Sequence, residues 1–382
     1  MSAEAVETWL KSRKYAQIDG KRLKPLPHRA LKGMPMAVQR GQAEVFFLLA
    51  DDGKQWIIKK FHQGRCPEES YLKSVSRMLP KHKGFRSGIN RRVLTAKHLK
   101  KISGCYYSRN LLQWLDGSIL MPRIKGMDWA AVADEIRDGD RQLEYEQRLL
   151  LCRNLSELVC LLENNQCAHR DLSSGNTFII PDTWEVALID FDCFYPPSLS
   201  MPKSTTCGTE GYIPKFVWHN GTPSLNVTWC HYADRFSLAL LNTEFLVLDK
   251  GTSLTADGGM FDQDELRARS GKIIRHTVKK LKSEYPEAAS LFRAAINSRS
   301  YVDCPSPQDW IAFCDSYCAT KQPLLRRLEE ITPTYFYRQL QQRKRVEPTW
   351  SAPRLDDLPK DPIRLWQKQR QIVSLPLDPW RP

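Results

Sequence analysis

The sequence predicts an α+β protein in which antiparallel hairpins alternate with amphipathic helices. Three observations carry this. "AEVFFLLADDGKQWIIKKF" at 43–61 sets two apolar strands about Asp52 and Gly53, a strong hairpin signal. Residues 143–163 repeat Leu151, Leu155, Leu158, Val159 and Leu162 at three- and four-residue spacing, which predicts a helix. "TFII" and "VALI" then flank "PDTWE", a second hairpin whose turn holds Pro181 and Asp182.

The remaining composition bounds the class. The chain has 382 residues, 42% hydrophobic and 26% charged, which describes a globular protein and not a disordered one. Its best apolar run, "VFFLLA" at 45–50, is far too short to span a bilayer. The opening "MSAEAVETWLKSRK" is acidic and then basic with no apolar stretch, so no secretion signal is expected and a short helix capped by Ser2 is. The 11 cysteines lack framework or zinc spacing and read as free thiols of a cytoplasmic protein. Net charge is +14 and uneven: residues 54–109 carry fifteen Lys and Arg against two acids, Glu68 and Glu69. A solvated basic face explains this more simply than a nucleic-acid site.

The second hairpin carries the chemistry. Within "AHRDLSSGNTFIIPDTWEVALIDFD" (168–192), Asn176 enters the first strand and Asp190 leaves the second. An antiparallel pair brings those ends together, about 5 Å apart if directly opposed. A carboxylate and a carboxamide oxygen suit Mg²⁺, which also takes substrate phosphates. Asp171 lies on the preceding loop, where a carboxylate can accept a proton from an attacking hydroxyl.

"HRDLSSGN" resembles the H-R-D-L-x-x-x-N loop of the protein kinase superfamily, and "DFD" stands where D-F-G is expected. The resemblance extends over about residues 34–318 and is nearest the bacterial eukaryotic-like Ser/Thr kinases with a degenerate glycine-rich loop. It implies a bilobal fold: an N-terminal extension (1–33), a small β-rich lobe (34–124), a larger helical lobe (125–318) and a basic, proline-rich tail (319–382). Lys59 in "WIIK" takes the phosphate-binding role by this match. Periodicity alone leaves Lys59 and Lys60 open, each with its own face of the strand. Glu69, ahead of Leu72, Val75 and Leu79 in "PEESYLKSVSRMLP", is the acid expected to hold Lys59. "VQRGQAEV" (38–45) keeps only Gly41 for the nucleotide loop. "GSILMPRIKGMDW" (117–129) makes Met121 the gatekeeper and gives the Pro122–Ile124 backbone to adenine. "TTCGTEGY" matches the end of an activation segment, with Thr209 on the catalytic aspartate and Thr205 as a phosphosite facing Arg170. "DRFSLAL" (234–240) places Asp234 beneath the catalytic loop as an acceptor of loop amides. "CPSPQDWIAF" (304–313) is similar to the closing helices.

Several positions depart from the family pattern. Ser173 replaces a lysine on the transferring phosphate, and Asp192 replaces the glycine of D-F-G, adding a carboxylate near the metal. Phe216 and Cys304 together replace a glutamate–arginine pair, an apolar substitute for a buried ion pair. "HKGFRSGINRRVLTAKHLKK" (82–101) is an insertion without an assigned role, and Trp350, Trp366 and Trp380 lie in the tail. The resemblance implies an ATP- and Mg²⁺-dependent Ser/Thr protein kinase acting on protein, itself included. Asp171, Lys59 and Arg170 would be catalytic, with Asn176 and Asp190 on the metal. It also implies a cognate metal-dependent phosphatase as a partner. A nucleotide-binding pseudokinase scaffold and a small-molecule phosphotransferase are the alternatives.

Overall fold

A computed structural model describes residues 2–39, 42–203, 205–256 and 258–320. The chain opens with helix α1 (Ser2–Ser12), strands β1 (Ala16–Ile18), β2 (Lys21–Pro25) and β3 (Ala37–Gln39), then the hairpin of β4 (Ala43–Ala50) and β5 (Gln55–Phe61). Gly53 closes that hairpin at φ 79°, a left-handed conformation that glycine adopts without strain. Next come α2 (Glu69–Met78), α3 (Arg86–Ile89), β6 (Arg92–Val93), β7 (Leu99–Lys100), α4 (Arg109–Leu115) and β8 (Ile119–Pro122). The strands form one antiparallel sheet in the order β6-β8-β5-β4-β2-β1-β7, with β3 also on β4. Residues 1–33 therefore contribute to the sheet itself, since β2 pairs Leu23 with Ala50 across β4.

Strand alternation gives this sheet two covered faces. Ile58 and Leu120 point to a core with Val6 and Trp9 of α1 and with Leu111 and Trp114 of α4. Phe61 and Ile119 point the other way, to Leu72 and Val75 of α2 and onward into the larger core.

The later residues are mainly helical. They comprise β9 (Met127–Asp128), α5 (Trp129–Asp138), α6 (Tyr145–Asn164), the hairpin β10 (Thr177–Ile180) and β11 (Glu185–Leu188), and α7 (Leu225–Thr228) to α12 (Pro307–Thr320). Among these, α8 spans Arg235–Val247. The side chain of Asp128 caps α5 by accepting from Ala131 N, and Gly139 ends it in the left-handed conformation. The predicted apolar stripe of α6 is buried at Leu151, Leu155, Leu158, Val159 and Leu162, against α8 and α12. The architecture is thus α+β, with a curled antiparallel sheet first and helices later. Among the described residues no helix is long and apolar enough to cross a membrane. The described cysteines are free thiols.

Candidate active site

The loop ahead of β10 is fixed from below by a buried carboxylate. Asp234, just before α8, accepts from the backbone N–H groups of His169 (2.6 Å) and Arg170 (2.7 Å), the role expected for it. Burial pushes its carboxyl up to about 6, against the pull of those two amides. His169 is held from both sides. Its Nε2–H donates to the Ile189 carbonyl at 2.7 Å, and its Nδ1 accepts from Asp171 N–H at 3.3 Å. Burial lowers the imidazole to about 4, so near neutrality it is an uncharged spacer between the two turns of the site.

Arg170 adopts a left-handed backbone at φ 67° and turns inward. Its five donors meet five neutral oxygens: Thr228 O, Cys193 O, Thr205 Oγ1, Thr206 O and Thr228 Oγ1. Its guanidinium also stacks 4.6 Å from the Trp229 ring. The expectation that Arg170 is catalytic is therefore corrected. It is a buried tie between the loop and the 193–229 segment, and the Thr205 hydroxyl already occupies one donor at 2.8 Å.

Asp171 faces the opposite way. Its Oδ1 accepts from the Thr209 hydroxyl at 2.7 Å, the contact expected of Thr209. Its Oδ2 accepts from Asn176 Nδ2 at 3.0 Å, and Asn176 Nδ2 also reaches the Asp171 carbonyl at 2.8 Å. Enclosure of the carboxyl, together with the negative charge of Asp190, pushes Asp171 up to about 7, while the Thr209 and Asn176 hydrogen bonds hold it down. Both hydrogen bonds fix the Asn176 nitrogen, so its Oδ1 points elsewhere and accepts nothing from the described residues.

Hairpin register refines the expected pairing. Thr177 opposes Leu188, and Ile189 N donates to Asn176 O at 3.0 Å, so Asn176 lies opposite Ile189 and Asp190 is one residue beyond. The chain then turns sharply, with Asp190 in the left-handed region at φ 65°. That conformation falls on Asp190; Asp192, which replaces the usual glycine, does not need it.

Lys59 reaches this turn from β5. It is buried, and its Nζ lies 2.6 Å from Asp190 Oδ1 and 2.6 Å from Asp192 Oδ2. Lys60 donates instead to the Asp116 carbonyl at 2.6 Å, so of the two lysines it is Lys59 that faces the turn. Arg91 Nη2 closes on the other oxygen of Asp192, again at 2.6 Å. Burial disfavours the Asp192 charge, but Lys59 and Arg91 more than offset it and hold its carboxyl far below the usual range. Asp190 moves the other way, raised by burial and by Asp192 against the pull of Lys59. The same two carboxylates raise Lys59 against a burial cost.

One expectation fails here. Glu69 does not hold Lys59: it is exposed at the start of α2 and pairs with Lys73 one turn along. The helix buries Tyr71, Leu72 and Val75, which leaves Glu69 on the solvent side. Asp192 does place a further carboxylate beside Asp190, and both of its oxygens are held by cations.

The missed residue is Arg91, inside the basic insertion that had no role. That insertion backs the turn. Ser87 Oγ donates to the Leu188 carbonyl at 2.8 Å, and Phe85 meets Phe191 edge-on at 6.1 Å. A Cβ on Gly88 would come 2.3 Å from Leu79 Cδ1 and 2.7 Å from Phe191 Cδ2, so only glycine fits there without displacement. With Met121, Asp190 and Asp192 these residues enclose about 10 Å³, room for one water at most.

The other expected positions divide. Met121 lines that space and pairs with Ile57 in the sheet. Beyond it, Pro122 has no N–H and Arg123 gives its own to the Gln55 carbonyl at 3.1 Å, so Ile124 carries the N–H donor of this segment. Gly41 and the tail tryptophans Trp350, Trp366 and Trp380 lie outside the described residues. Ser173 is buried. Phe216 packs edge-on against Tyr301 at 4.8 Å, and the Cys304 thiol donates to Ser298 Oγ at 3.2 Å.

Asn176 Oδ1 and the Asp190 carboxylate, whose side chain keeps 33% exposure, are the oxygens left to a bound group here; among the described residues no cluster of three or more His, Cys, Asp or Glu is arranged to hold a metal ion. No protein-family model and no curated protein matches this chain.

Proposed function

We propose that the protein is an ATP- and Mg²⁺-dependent protein kinase that transfers the γ-phosphoryl group to Ser/Thr hydroxyls, with ATP between a β-rich lobe and a helical lobe. The observation that carries this reading is the convergence of Lys59, Asp171 and Asp190 from three separate elements. Lys59 contacts Asp190, and Asp190 acts electrostatically on Asp171.

In this reading Asn176 Oδ1 and the Asp190 carboxylate hold Mg²⁺, which supplies charge neutralisation to the phosphates. Lys59 presents its ammonium to the phosphate oxygens. Asp171 is aimed by Thr209 and Asn176 and accepts the proton of the acceptor hydroxyl as that oxygen bonds to the γ-phosphorus and the bridge to the β-phosphate breaks. A base whose carboxyl lies at about 7 is suited to that task near neutral pH. Ile124 N–H and Met121 border the place for the base.

Purified protein incubated with Mg²⁺ and γ-labelled ATP tests the reading, beside Asp171→Asn and Asp190→Asn. Label on protein from the wild type and from neither variant is the expected result. Nucleotide binding without any transfer would replace the enzyme with a scaffold.

A further inference from the structure

We propose that Asp192, anchored by Arg91, is the positioning carboxylate for Lys59, and that α2 has no part in that task. The functional weight of this inference rests on reading Lys59 as the phosphate-binding residue; the placement of the three side chains does not.

Lys59, Arg91 and Asp192 are all buried, at 6%, 8% and 5% exposure, in the middle of the molecule. Asp192 offers one oxygen to each cation, both at 2.6 Å. Asp190 also touches Lys59, but through one oxygen and from a side chain one-third exposed. A cation bound at Asp190 would compete with Lys59 for that carboxylate. Asp192 also meets the Asp190 carboxyl, but Arg91 holds its second oxygen, so it stays fixed beside Lys59 when Asp190 is engaged.

Arg91 is itself a fixed anchor. It follows α3, which Ser87 ties to β11 and Gly88 seats against Phe191. Its Nε is buried without a partner among the described residues, and its Nη2 pairs with Asp192. Helix α2 meets the turn differently: the Tyr71 hydroxyl donates to the Phe194 carbonyl, beyond the charged residues. Moving α2 would carry away Glu69 and Lys73 without touching Lys59. The carboxylate that orients the lysine thus belongs to the metal-proximal turn and travels with Asp190.

Lysine reactivity tests this without relying on turnover. Full-length protein is treated with an amine-reactive ester at mildly alkaline pH without nucleotide, and modification of Lys59 is read by mass spectrometry relative to exposed Lys54. Asp192→Asn is expected to raise Lys59 labelling several-fold, because the buried ammonium loses one of the two carboxylates that hold it. The double variant Arg91→Met with Asp192→Leu removes both charges together, strands no cation, and should give the same rise. Glu69→Gln should label like the wild type. Arg91→Met should weaken binding of a fluorescent ATP analogue roughly tenfold, with Arg91→Lys recovering most of it. Thermal melts establish that each variant is folded. Labelling that responds to Glu69→Gln, or that ignores both Asp192 variants, overturns the inference. A wild type that transfers no phosphate while Lys59 labelling still follows Asp192 removes the kinase reading and keeps this one.

Discussion

Asp171 and Asp192 occupy neighbouring turns, both enclosed by protein, and their surroundings drive them in opposite directions. Asp171 receives neutral donors, a hydroxyl and a carboxamide, and its carboxyl rises to about 7. Asp192 receives a lysine and an arginine and stays ionised far into acid. Burial is common to both, so it is the charge of the partner that decides. The lesson is that a second carboxylate near a reaction site is not by itself a second base or a second metal ligand. In the proposed reaction one aspartate exchanges a proton, while the other is locked as a counter-ion.

Substitutions can break this contrast in order of size. Asp171→Asn should lower phosphoryl transfer roughly 10²–10⁴-fold, the usual share of a general base; its amide can accept from Thr209 or from Asn176 but not both, so a melt is recorded beside the assay. Asp192→Asn should act through stability and nucleotide binding and not through the proton-transfer step. It leaves Arg91 buried without its anion and is expected to cost about 3–5 kcal/mol in denaturant unfolding. A large loss of turnover in the second variant with full stability would erase the distinction between the two residues.

Smaller changes sharpen it. Gly88→Ala should destabilise by about 1–3 kcal/mol, because the added methyl must displace Phe191 or Leu79 behind the turn. Thr209→Val acts on the other side. The base form of Asp171 is lost as pH falls through about 7, so kcat/KM should decline on that acid side. Removing the Thr209 donor takes away an interaction that favours the charged form, so the acid limb should move upward by about one pH unit or less. An unmoved limb would mean that another group titrates there.

Much of this site was legible because its parts are local in sequence. Asp171, Asn176 and Asp190 lie within one loop and one hairpin, and the hairpin itself follows from alternation and turn residues. The β4–β5 hairpin and the long α6 were readable for the same reason. Lys59 needed a family pattern to separate it from Lys60, and the sheet pairing then placed it. Glu69 misled because its spacing from Leu72 is right while its rotation about the helix is not: Tyr71, Leu72 and Val75 choose the buried side. Arg91 was invisible for a different reason. It is 101 residues from Asp192, in an insertion (82–101) where six other Lys and Arg carry no such mark. Only packing of that stretch behind Phe191 singles it out. The strands of residues 1–33 were equally silent, being three and five residues long.

The most direct measurement is a crystal structure with Mg²⁺ and a non-hydrolysable ATP analogue. The expected result is a metal ion between Asn176 Oδ1 and Asp190, Lys59 against the phosphates, and Asp192 still shared by Lys59 and Arg91. A metal ion coordinated by Asp192, or Lys59 paired with Glu69 once nucleotide is present, would contradict it.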